Sequence, residues 1–185
     1  SHLGIVAEVN ELSREISAGR VKLEEAEERL EKIEKIPPKK RWFQYMAAGL
    51  ASGTFALMLG SSVSEAVAAF LIGFLSYVWV LFAGKHNLSK IIVNIVGGVI
   101  MTVLALAFMH IPFLPILKLD GMMVGAIMPM IPGVAFVNAI RDIADTDFLS
   151  GLVRMIDALL VFVYIAIGVG VTLSIYNTMM GGILR

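Results

Sequence analysis

Five apolar stretches, roughly residues 42–60, 66–84, 91–111, 122–140 and 152–176, dominate this chain of 185 residues. Each approaches the ~20 residues a helix needs to cross the hydrocarbon core of a bilayer. That pattern predicts an all-α membrane protein with five transmembrane helices. Composition agrees, because 58% hydrophobic residues and a mean hydropathy of +0.84 are too apolar for a soluble domain of this size.

The fourth stretch carries its own interruption. In MIPGVAFVNAIRD, residues 130–142, proline removes a backbone donor and clashes with the preceding turn, while glycine adds flexibility. Pro132-Gly133 is therefore expected to break the helix near the bilayer centre, with Pro129 one turn earlier. Backbone broken at that depth is tolerated only where protein or a water-lined cavity satisfies the released groups. Two readings follow. The pair can be a packing kink, or the half-helix beyond it can point its positive N-terminal end at the carboxylate of a substrate.

Charge divides the chain. The formal net charge is zero, yet residues 1–41 hold 9 Lys+Arg and 9 Asp+Glu, and the following 144 residues hold 6 of each. Within the polar part, Ile5, Val9, Leu12 and Ile16, then Leu23, Ala26, Leu30 and Ile33, recur at helical spacing. They predict a cytosolic amphipathic helical hairpin over residues 1–38, stopped by Pro37-Pro38, ahead of a five-helix transmembrane domain over 39–185. The hairpin reads as a collar packing on itself or on a neighbour. Lys39, Lys40, Arg41, Lys85, Lys90 and Arg141 fall on one side of the five spans, against Lys118 and Arg185 on the other. The positive-inside rule then places the N-terminus in the cytoplasm and the C-terminus outside. The opening SHLGIVAEVN enters a helical pattern without a starting methionine, so further residues are expected upstream.

The polar residues inside or beside the spans are the candidate site. Asn138, Arg141 and Asp142 follow the break at helical spacing, and Asn138 is expected to share a face with the other two. Arg154 and Asp157 lie one turn apart inside the fifth span, where a charge costs about 2.5–3.5 kcal/mol on insertion scales, and pairing between them lowers that cost. Asp157 is either half of a structural ion pair or a coupling or gating carboxylate. Asn94 beside Gly97-Gly98 either faces the pathway or belongs to a close helix contact. Pro132, Gly133, Asn138, Arg141 and Asn94 are thus the substrate-binding candidates, and Asp142, Arg154 and Asp157 the coupling or gating candidates.

Other chemistries lack their residues. With no cysteine and three scattered histidines, a metal site is not expected. No Walker loop, nucleophile elbow or GxGxxG motif occurs, so neither a cofactor nor an enzymatic activity is expected. No basic stripe with interleaved aromatics suggests nucleic acid.

MIPGVAFVNAIRD, followed by DFLSGLVRMIDALL, resembles the signature region of the bacterial threonine/serine exporter family. VNELSREISAGRVKLEEAEERLEKI is similar to the helical segment that precedes the family's first span. Thr146-Asp147 stands where the family commonly has Gly-Asp. The resemblance implies a secondary transporter of the inner membrane, built from two unequal membrane modules that are fused in some members and separate in others. This chain looks like the larger module of the split type. A second, smaller membrane subunit is then the expected partner, in a homo- or hetero-oligomeric assembly within the lipid bilayer. Split members imply export of succinate or a similar dicarboxylate, and fused members imply threonine and serine. A non-transporting membrane scaffold is the rival from another class.

Overall fold

The computed structural model describes residues 3–34, 41–111 and 117–180. The Pro37-Pro38 stop, the Lys39-Lys40 pair, the start of the proline-containing connection at Pro112 and the C-terminal Arg185 lie outside them. The chain divides into two compact units, residues 1–41 and 42–185.

In the first unit, α1 (Leu3–Ser17) and α2 (Leu23–Glu34) form a hairpin. Gly19, at φ +65, supplies the left-handed residue that ends α1. Leu12, Ala26 and Ile33 are buried between the helices, with Ile5 and Val21 packed against them. Arg29 bridges the helices to Glu15 at 2.6 Å, and Lys32 pairs with Glu28 one turn back on α2 at 2.7 Å. The hydrogen bond and charge of Lys32 hold the Glu28 carboxyl below its ordinary value.

The second unit contains α3 (Arg41–Met58), α4 (Val63–Lys85), α5 (Lys90–Met109), α6 (Leu119–Ile127), a 3-10 turn (Met128–Met130), α7 (Gly133–Ala144) and α8 (Phe148–Met179). Among the described residues there is no strand. Among the described residues three helices, α4, α5 and α8, are long and apolar enough to cross a membrane, and the bent pair α6–α7 makes a fourth if counted as one span. The first expected span falls short of that class. At 18 residues α3 is about 27 Å long, and Arg41 and Gln44 in its first turn dilute its apolar run.

Small residues set the packing and reveal the helix directions. A Cβ added to Gly49 would meet Phe70, and one added to Gly53 would meet Ala66, so α3 runs antiparallel to α4. The Trp79 indole donates to the Val93 carbonyl at 3.0 Å, joining α4 to the antiparallel α5. Gly98 lies against Ile165 and Gly168, and Gly168 against Ile95 and Val99. With Lys90 on Asp157 and His110 on Tyr176, this makes α5 and α8 parallel and in register along their shared length. Ile72, Met101, Ala105, Met122, Val161 and Ile165 belong to one buried core contributed by α4, α5, α6 and α8.

Candidate functional site

The fourth stretch is broken where the sequence requires it. Ile131 precedes a proline, which pushes its backbone to the extended region, and it sits at φ −66, ψ 126. Pro132 follows at φ −79, ψ 54, the centre of an inverse γ-turn in which the Gly133 amide donates to the Ile131 carbonyl at 2.8 Å. Helix α7 then starts with the Phe136 amide donating to the Pro132 carbonyl at 3.0 Å. The axes of α6 and α7 differ by 62°.

This geometry leaves polar backbone free. No side chain caps α7, and the Val134 and Ala135 amides in its first turn have no acceptor among the described residues. Gly133 is exposed, and a Cβ placed on it would meet nothing within 4 Å. Close packing does not explain the glycine. The turn before it is anchored, because the Met130 thioether fills the notch left by Gly97 on α5. Gly97 is the eighth of the 20 residues of α5, so the break lies near the middle of that helix. Asn94 is buried one turn earlier on α5, and its amide donates to the Lys90 carbonyl at 2.7 Å.

The charged candidates sit at the end of the unit marked by Lys90. Arg154 does not pair with Asp157, as their spacing suggested. Its guanidinium lies 2.7 Å from Asp142 on α7, and Asp157 takes Lys90 on α5 at 2.5 Å. Partners on neighbouring helices outcompete the residue one turn away. The Asp142 Oδ2 is buried and receives no directed hydrogen bond, so Arg154 meets it as a charge alone. Nor do Arg154 and Asp157 need to lie in hydrocarbon. The 22 residues from Ala158 to Met179 carry no charge and span about 33 Å, enough to cross the core without them.

Asn138 is separated from Asp142. Helix α7 turns Ala139 and Ile143 toward Gly151 of α8, and Asp142 goes with them. Asn138 and Arg141 are exposed beside Val134 and Val137, which are 78% and 63% exposed. Arg141 lies 3.6 Å from Asp145 at the end of α7.

The family model for threonine/serine exporters matches residues 2–176. The chain belongs to that family. A curated threonine/serine exporter of Corynebacterium glutamicum is 26% identical over 173 residues, covering 92% of this chain and 35% of the relative. The chain thus spans about a third of that relative's length. No solved structure matches. The family is one of transporters rather than enzymes.

Glu65 does not stand out as a site residue in the sequence. It is 6% exposed, at the end of the unit opposite Lys90, where its carboxylate accepts from the Ser62 amide at 2.8 Å and from the Lys118 amide at 2.9 Å. It ties the start of α4 to the approach to α6. The signal was present as Ser62-x-x-Glu65, a capping box at the head of an apolar helix.

Proposed function

We propose that this chain is the larger membrane module of a secondary exporter for threonine or serine. The observation that carries the reading is the family match along nearly the whole chain. The relative is named for threonine and serine, which favours those substrates over the succinate-like dicarboxylates implied by the split-subunit resemblance. On this reading the pathway passes the α6–α7 break. The uncapped Val134 and Ala135 amides offer a helix N-terminus to the amino-acid carboxylate. Asn94 lies behind the break and Asn138 beyond it, and the Asp142–Arg154 and Asp157–Lys90 pairs act as gating contacts between α5, α7 and α8.

The same reading takes α3 as a fifth span, with the hairpin in the cytoplasm, the C-terminus outside and the whole in the bacterial inner membrane. The helix directions support it. Arg41, Lys85, Lys90, Arg141 and Arg154 gather at one end of the unit, and Lys118 lies at the other. On the split-type resemblance, a second, smaller membrane subunit completes the transporter.

Counterflow in proteoliposomes tests this. Labelled threonine should exchange when the second subunit is present, with labelled succinate exchanging far more slowly. Equal or faster succinate exchange would return the substrate to the dicarboxylate class. Loss of both, with the complex intact, would favour the scaffold. Asn138→Leu keeps similar bulk and removes the amide, so it should weaken threonine binding in folded complex if Asn138 lines the pathway.

A further inference from the structure

A second group of charges lies away from the break. At the Glu65 end, Ser61, Glu65, Lys118, Asp120 and Gly121 line a cavity of about 370 Å³. Its chemistry is mixed in sign. Glu65 is buried and acceptor-only, and each oxygen that takes a backbone amide retains capacity for another donor. Gly121 stands over that carboxylate, because a Cβ there would lie 2.7 Å from the Glu65 Oε2. Any larger residue would crowd the oxygen. Asp120 is exposed and, among the described residues, accepts only from the Gly121 amide, at 3.0 Å. Among the described residues, neither the Lys118 ammonium nor Asp120 has an ion-pair partner within 4 Å. At the opposite end of the unit, by contrast, Lys90, Arg141 and Arg154 each have a carboxylate partner.

We infer that this cavity is a second binding site for a zwitterionic amino acid, resting on the amino-acid reading of the exporter. The ligand's ammonium lies between Glu65 and Asp120, its carboxylate lies on Lys118, and a short hydroxylated side chain meets the Ser61 hydroxyl. Two carboxylates against one ammonium leave the lining with a net charge of −1. A zwitterionic amino acid leaves that net charge unchanged while setting its ammonium against the excess carboxylates. A dicarboxylate brings two further negative charges to two existing ones and is repelled. The site is a holding point at the far end of the route from the Asp142–Arg154 and Lys90–Asp157 pairs, and it discriminates by the presence of an amino group.

The chain has no cysteine, so one introduced at Leu59, an exposed residue on the cavity rim, is the single labelling position on this chain. In proteoliposomes of the full exporter carrying Leu59→Cys, L-threonine should slow maleimide labelling several-fold. Succinate, and threoninol, which lacks the carboxylate, should not. Lys118→Gln and Asp120→Asn, both on exposed side chains, should each remove most of the protection while leaving the melting temperature unchanged. Protection within twofold of the parent in both variants, or equal protection by succinate, overturns the site. If wild-type counterflow of threonine proceeds while position 59 is never protected, this site is wrong and the exporter reading stands. If the wild type neither binds nor exchanges threonine, both fall.

Discussion

The two halves of the broken fourth stretch are built to different standards. Helix α6 buries Met122, Met123, Gly125 and Ala126 within nine residues, whereas α7 buries only Ala139 within twelve. Gly125 sits where a Cβ would lie 2.7 Å from the Ala56 Cβ, with the Ser52 carbonyl closer still. Gly133, the first residue of α7, has nothing near it. One half is wedged into the bundle by backbone contact, and the other leans on α8 along a single face. The difference teaches that the break separates a fixed element from one whose outer face is free to meet a substrate or another subunit.

The largest effect should come from disturbing the fixed half. Gly125→Val places carbon where the α3 backbone already is and should destabilise the chain by about 3 kcal/mol or more, read as a fall in melting temperature and a loss of monodisperse protein. If it melts like the parent, the two halves are not distinguished by packing. Next comes the break itself. Replacing Pro132 and Gly133 together by alanine should return the free amides to the helix ladder and lower threonine affinity several-fold, corresponding to roughly 0.3–2 kcal/mol of dipole interaction. Direct binding on assembled complex measures this, and unchanged affinity would make the break a packing kink. Gly133→Ala alone should have the opposite sign from Gly125→Val, stabilising by about 0.4–1 kcal/mol because it restricts the unfolded chain without a clash; a thermal or denaturant melt decides. The smallest effect is at the α7–α8 contact. The Arg154 side chain is 56% exposed and that of Asp142 is 24% exposed, so a double-mutant cycle with Arg154→Gln and Asp142→Asn should give a coupling of about 1 kcal/mol or less. A coupling of several kcal/mol would mean that α7 is held as firmly as α6.

The break was legible because its cause is covalent. A proline has no amide and restricts the residue before it, whatever surrounds it, so Ile131, Pro132 and Gly133 follow from local rules. The helical pairing of Arg154 with Asp157 did not, since spacing along one helix says nothing of Lys90 and Asp142 arriving from two others. Asn138 was placed with both Arg141 and Asp142 because a helix face is broad. Only contact with Gly151 of α8 shows which side of that face turns inward. Glu65 was missed for a different reason. Its capping box was visible, but its second partner, the Lys118 amide, lies 53 residues away, and no period in the sequence joins them.

With α3 counted as the fifth span proposed above, the unequal helix lengths would make this molecule a gauge of membrane thickness. The uncharged part of α8 covers about 33 Å and its charged start extends beyond, so this helix can slide or tilt as lipid chains lengthen without dragging a charge into oil. Helix α3 has no such reserve. At about 27 Å, with Arg41 at one end and Gly60 closing the turn after the other, it is shorter than a typical ~30 Å hydrocarbon core. Each added ångström of bilayer costs a fraction of a kcal/mol, and that cost falls first on the α3–α4 contact, where Gly49, Gly53 and Gly73 let the two backbones approach. Lipid chain length is thus a handle that loosens one side of the bundle while leaving the parallel α5–α8 seam undisturbed.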